Sequence, residues 1–129
     1  MKVPKDCRYT NEHEWAHRNG DLATVGITDY AQEQLGPVVF VDLPEVGAAV
    51  VAHQSFGAVD SQKASSELFA PLTGTVVEVN TRLADEPELV NDDPYGEGWM
   101  IRVHMADTHE FESLLTAEQY SRSIAANGH

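Results

Sequence analysis

Lysine is nearly absent from this chain. Its 129 residues include Lys2, Lys5 and Lys63 and no other lysine. The first two fall at an N-terminus expected to fray, so Lys63 is the one lysine expected in the folded body. Basic residues are scarce as a class: eight Lys and Arg stand against 21 Asp and Glu, giving a formal net charge of −13 and a sequence pI of about 4.6. Binding to a phosphate backbone needs clustered Lys and Arg, so nucleic acid is excluded as a partner. The acidity suits solubility and steering toward basic partner surfaces. Cysteine occurs once, as Cys7, which excludes an internal disulfide and says nothing of the redox compartment. A nucleophilic role would need a positioned base, and a fraying segment does not offer one. No apolar run approaches the ~18 residues of a membrane span. Residues 1–6 lack the apolar core of a secretory signal and are too acidic and too short for a transit peptide, so the expected compartment is the cytoplasm of a bacterial-type cell.

What is present reads as one β-rich domain spanning 1–129. This length buries a core without disulfide or metal staples, and 42% apolar with 22% charged residues are globular values. A first strand is expected at 14–18 and a second at 22–27. Asn19-Gly20 between them signals a type I′ hairpin turn. Thr28 is a helix N-cap, Asp29 favours the helix dipole, and Gly36 stops the helix, giving one short helix over 29–35. Residues 38–41 read as a buried strand by their β-branched and aromatic composition. A Pro44 turn follows, then short strands at 48–52 and 75–79. Residues 84–98 form an acidic loop with one helical turn near 88–90. The last strand is 99–105. Asp107-x-x-Glu110 and Thr116-x-x-Gln119 fit capping boxes. They open helices at 108–114 and 117–126, the second with an apolar stripe of Ala117, Tyr120 and Ile124. The residues alone thus predict a small β-sandwich with one inserted helix and a helical C-terminal cap.

An internal repeat runs through it. Gly36-Pro-Val38-Val39-Phe-Val41-Asp42 matches Gly74-Thr-Val76-Val77-Glu-Val79-Asn80. Chance rivals so short a match. If the repeat is structural, two similar β-units face each other with residues 56–70 between them. That intervening stretch has apolar segments at 56–59 and 68–70. Between them lie turn-favouring Asp60, Ser61, Ser65 and Ser66, which predicts a β-hairpin with Lys63 at its tip. On the hairpin alone, an ordinary solvated lysine is the favoured explanation of Lys63, since exposed lysines are the norm.

The run Gly57…Ser61-x-Lys63-Ala64…Ser66-Glu67…Ala70-Pro71…Gly74 resembles the lipoylation segment of the H proteins of the glycine cleavage system. The resemblance extends, in order, over Tyr9…Glu12-His13-Glu14-Trp15, Gly26-Ile27-Thr28-Asp29-Tyr30-Ala31, Leu35-Gly36, Val39-Phe40-Val41-x-Leu43-Pro44 and Asn91…Pro94-Tyr95…Gly98-Trp99. It implies the barrel-sandwich hybrid fold of lipoyl and biotinyl carriers, with the core over about 9–105 and the helical cap over about 107–127. It implies lipoic acid in amide linkage to Lys63. It also implies a shuttle rather than an enzyme. An aminomethyl group is accepted at a PLP-dependent glycine decarboxylase and carried to a folate-dependent aminomethyltransferase. A dihydrolipoamide dehydrogenase then reoxidises the arm, and a lipoyl-attaching enzyme installs it.

Carried over by position, the resemblance implies that the loaded arm lies in a cleft lined by Glu12, His13, Glu14 and Glu67. An acidic wall suits a cationic amine, because a charge-assisted hydrogen bond exceeds a neutral one. Glu12 stands where the family often has a small polar residue, and Glu67 where it has a shorter Asp; plain surface acids explain both as well. An H-like relay that hands lipoyl groups to other proteins would need Lys63 too. A biotin carrier is disfavoured, since methionines typically flank its lysine and Lys63 has Gln62 and Ala64. His13 and His17 sit at i, i+4, but on a strand that spacing does not form a ligand face, so no metal is expected. No phosphate loop or catalytic triad signature is present.

Overall fold

The computed structural model describes residues 2–127. Its strands are β1 (Arg8–Tyr9), β2 (Glu14–Asn19), β3 (Leu22–Ile27), β4 (Val38–Asp42), β5 (Ala49–Val50), β6 (Ser55–Ser61), β7 (Ser65–Phe69), β8 (Gly74–Val79) and β9 (Ile101–Met105). Two antiparallel sheets result, ordered β1-β2-β3-β9-β8-β5 and β4-β6-β7. Their inward side chains merge into one core, with Ala16, Val25, Val76 and Val103 from the larger sheet beside Val38, Val41, Val59 and Leu68 from the smaller. This is the mainly β barrel-sandwich that the sequence implies.

Helix α1 (Asp29–Leu35) joins the two sheets and has the bounds that its cap residues predict. The Thr28 hydroxyl accepts from the Ala31 N–H at 3.2 Å. Gly36 closes the helix at φ +79°, a left-handed conformation that costs glycine little. Thr28→Ala should destabilise the fold by about 1–2 kcal/mol, the cost of losing a cap, read as a lower urea midpoint at unchanged slope. The short helices α2 (Leu89–Asp92) and α3 (His109–Glu112) and the terminal helix α4 (Ala117–Asn127) complete the chain. A 3-10 turn at Thr81–Ala84, capped by Asn80, was not visible in the pattern. The expected capping box at Thr116 is reciprocal: Gln119 Oε1 accepts from the Thr116 N–H, and Thr116 Oγ1 from the Gln119 N–H.

Several expectations need correction. The first hairpin pairs Asn19 with Leu22, so its two-residue loop is Gly20-Asp21 and not Asn19-Gly20. Only Gly20 of that pair has positive φ, at +64°, a pattern that suits a type II′ turn with glycine first. Strand β4 is half-exposed, not buried: Val38 and Val41 point inward while Val39 and Phe40 are 50% and 56% exposed. The reason is a bulge at Val39, which lets two consecutive residues face solvent. Strand β8 carries the same bulge one repeat later, at Val77. The two valine runs are therefore structurally equivalent, one in each sheet. Glu110 does not close a box on Asp107; it accepts from the N–H and hydroxyl of Thr73 and ties α3 to the start of β8. The N-terminal segment is packed rather than frayed. Lys2 N–H donates to Asp29 at 2.9 Å, Tyr9 donates to the Pro4 carbonyl, and Cys7 is buried. Burial, with Asp6 beside it, pushes the Cys7 thiol up to about 12, which leaves it an unreactive thiol at neutral pH.

Candidate functional site

The β6–β7 hairpin presents Lys63 at its tip. Ser61 builds the turn: its hydroxyl accepts from the N–H groups of Lys63 and Ala64 at 3.3 and 3.1 Å, and its own N–H donates to the Ala64 carbonyl at 2.8 Å. The tip is pinned to the end of α1 by Gln62 N–H donating to the Pro37 carbonyl at 3.3 Å. Lys63 is exposed, and its stalk lies over Gly36: a Cβ built there would be 3.4 Å from Lys63 Cε and 3.9 Å from Nζ. Both are ordinary van der Waals separations, so the positive φ and not the space favours glycine at 36. Among the described residues Lys63 makes no ion pair.

One residue before Gly36, Leu35 joins Ile27, Ala31, Val59 and Leu68 in the apolar lining of a cleft of about 180 Å³. Glu12, His13, Glu14 and Glu67 line the same cleft, so the structure brings all four together beside the lysine hairpin. The volume is below the roughly 300–1,000 Å³ usual for free ligands.

The four polar residues differ in burial. Glu12 and Glu67 are exposed, His13 is half-buried, and Glu14 is 2% exposed. Glu14 Oε1 accepts from the Thr10 hydroxyl at 2.8 Å and Oε2 from the Phe69 N–H at 3.2 Å. Burial nevertheless pushes its carboxyl up to about 8, since those two bonds only partly offset desolvation. The acidic wall is therefore not uniform: burial favours the protonated form of its deepest member, while Glu12 and Glu67 face water. Burial also holds the His13 imidazole below its ordinary value. Its backbone is left-handed, at φ +72°. The ring sits 4.7 Å from that of Tyr30, and Nδ1 lies 2.8 Å from the Tyr120 hydroxyl on α4. Thr10, Tyr30 and Tyr120 were missed as site residues; Tyr120 is 107 positions from His13, and no local pattern signals that meeting.

A larger hollow of about 470 Å³ lies among Trp15, Tyr95, Trp99 and Arg102. Its charged groups are already engaged, His17 with Asp6, and Arg102 with Glu78 and over the Trp99 ring at 4.1 Å. His17 lines this hollow and not the cleft of His13, so the two histidines do not converge. Among the described residues no group of three or more His, Cys, Asp or Glu is placed to hold a metal ion. No helix there is long and apolar enough to cross a membrane.

The family model described as glycine cleavage H-protein matches residues 7–127. The chain is 56% identical over 124 residues to the glycine cleavage system H protein of Geobacillus kaustophilus, covering 96% of this chain and 98% of that one. It is 56% identical over 120 residues to that of Bacillus subtilis, covering 93% and 94%. The crystal structure of a glycine cleavage system H protein from Mycobacterium marinum superposes with a TM-score of 0.85 at 44% identity, covering 98% of this chain and 99% of that one.

Proposed function

This chain belongs to the glycine cleavage H-protein family, and from that premise we propose that it is the lipoyl-bearing shuttle of a glycine cleavage system. It is a non-catalytic carrier, one domain over 1–129, working in the cytoplasm. Its partners are a PLP-dependent glycine decarboxylase, a folate-dependent aminomethyltransferase, a dihydrolipoamide dehydrogenase and a lipoyl-attaching enzyme. The observation that carries this reading is the exposed Lys63 at a hairpin tip, its stalk over Gly36 and one residue from the cleft wall at Leu35.

The residues present fit the group. Lys63 offers a free amine on a rigid turn, and the cleft offers an apolar floor with carboxylates at its mouth and its depth. Bound in amide linkage to Lys63, lipoic acid would supply the dithiolane that takes up an aminomethyl group and the dithiol that is later reoxidised. The chain's own contribution is shelter and charge. Ile27, Ala31, Leu35, Val59 and Leu68 exclude water from the end of the arm, which protects a carried amine against hydrolysis. Glu14 accepts from that amine as a carboxylate, releasing its proton to solvent as the cation enters; low local screening strengthens the contact. Glu12 and Glu67 draw a cation to the mouth. The net charge of −13 steers the carrier toward basic surfaces on its partners.

Intact mass with peptide mapping, on protein from its own host, tests the reading. A lipoyl increment on the Lys63 peptide is the expected result. A bare Lys63 in a host that lipoylates other proteins would overturn it.

A further inference from the structure

The cleft residue His13 is held from behind by a group outside the cleft. Tyr120 is fully buried with Cys7, Tyr9 and Trp15, its ring stacked 4.7 Å from that of Tyr9 at an interplanar angle of 9°. Its hydroxyl lies 2.8 Å from His13 Nδ1 and 2.8 Å from Thr28 Oγ1. Thr28 is itself fully buried, and its oxygen accepts from the Ala31 N–H at the start of α1. The cap pair Ala31 and Thr28 and the remote Tyr120 and His13 thus form one hydrogen-bonded chain.

The direction of that chain follows from counting protons. The Thr28 hydroxyl has one proton, and among the described residues the Tyr120 oxygen is the acceptor within reach. A buried hydroxyl proton without an acceptor is disfavoured by about tenfold or more in population. Thr28 therefore donates to Tyr120. The Tyr120 proton then goes to the remaining partner, His13 Nδ1. An Nδ1 that accepts cannot carry hydrogen, so the neutral imidazole bears its proton on Nε2.

We propose that Tyr120 is a positioning residue for the cleft: its hydroxyl, oriented by Thr28, fixes His13 as the uncharged Nε2–H tautomer and keeps a second cation out of the acidic wall. A proton added at Nδ1 would displace the Tyr120 O–H, and the displaced hydrogen could reach Thr28 only by orphaning the Thr28 proton. The groups that share the cleft or touch the ring are Glu12 and Glu14 on its own segment, Tyr30 from α1, Glu67 from β7 and Tyr120 from α4. Glu12 and Glu67, and Glu14 when ionised, favour an imidazolium. The Thr28–Tyr120 chain and burial oppose it, so the wall keeps its charge for the guest amine. This consequence rests on the carrier reading, while the tautomer is a property of the chain alone.

Long-range ¹⁵N–¹H correlation spectra of the full chain, unmodified and modified, test the inference. The expected result at neutral pH is an unprotonated Nδ1 and a protonated Nε2 for His13. Tyr120→Phe keeps the ring and its stacking but removes the hydroxyl. It should average the two nitrogen shifts and raise the His13 titration midpoint by about one pH unit. Thr28→Ser, which keeps the hydroxyl, should retain the wild-type signature. A proton on Nδ1 in the wild type, or an unchanged signature in Tyr120→Phe, would overturn the proposal; the wild-type spectrum decides even where a variant fails to fold. Missing lipoate on Lys63 would end the carrier reading and leave this spectrum standing, and an Nδ1–H signature would do the reverse.

Discussion

Lys63→Arg is expected to abolish lipoyl attachment and with it all glycine-dependent carriage, while the fold stays intact. Arginine keeps the positive charge and nearly the length of the side chain, but a guanidinium does not take the place of the amine in the amide. No other lysine offers the same presentation. Lys2 and Lys5 lie on the packed N-terminal segment, away from any hairpin tip. The loss should therefore be complete in an intact-mass measurement after incubation with lipoate and the attaching enzyme. Stability should move by no more than about 0.5 kcal/mol, because Lys63 is exposed and makes no ion pair among the described residues. Modification persisting at Lys2 or Lys5 would refute the assignment of Lys63.

Glu14→Gln has two separable effects. The first concerns the cargo. Replacing a carboxylate acceptor by a neutral amide removes the charge-assisted part of the bond to a cationic amine, worth roughly a factor of ten. Ammonia should leave the loaded arm about tenfold faster, and an unchanged rate would remove the electrostatic part of the cleft argument.

The second effect concerns stability and appears in the unmodified chain. Burial raises the Glu14 carboxyl to about 8 in the folded state. Over the interval between the ordinary glutamate value and about 8, the folded protein therefore binds the proton more tightly than the unfolded chain does. The stabilisation linked to this group is fully present below the unfolded value and is lost as pH rises through about 8, at a slope of up to about 1.4 kcal/mol per pH unit. Urea titrations across that range should show wild-type stability falling with pH, and Glu14→Gln should flatten that component. A parallel pH dependence in both proteins would mean that Glu14 ionises freely in the fold.

The parts legible in the sequence are those whose causes are local. Thr28 and Gly36 bound α1 because a cap and a left-handed stop act within one turn of the helix. The reciprocal bonds of Thr116 and Gln119 follow from a spacing of three residues. Lys63 could be placed on a hairpin tip because turn-forming serines lie between two apolar segments. The two valine runs could be matched by eye, and they prove to share a bulge at Val39 and Val77.

Where a partner lay far off in the chain, local reading failed or stopped short. Glu110 has the spacing of a capping box, yet Thr73, 37 positions away, offers it two donors and takes it. Asn19-Gly20 has the right residues for a type I′ turn, but the strand pairing of β2 with β3 shifts the loop to Gly20-Asp21. Val39 and Phe40 read as buried from composition, and a bulge turned them outward.

Fold class, the extent of the family resemblance and the place of Lys63 on a hairpin were legible in the sequence, since each rests on residue identity or short spacing; Glu12, His13, Glu14 and Glu67 were grouped only through the resemblance. The tertiary structure alone decided which member of the cleft wall is desolvated. Glu14 and Glu12 are two positions apart and chemically identical, yet one is desolvated beneath Phe69 and the other faces water. That difference arises only when Thr10 and the Phe69 N–H of β7 come to pack on the Glu14 carboxyl. In the same way, the state of His13 depends on a tyrosine 107 positions away, because ionisation and tautomerism follow from desolvation and hydrogen-bond partners supplied by packing.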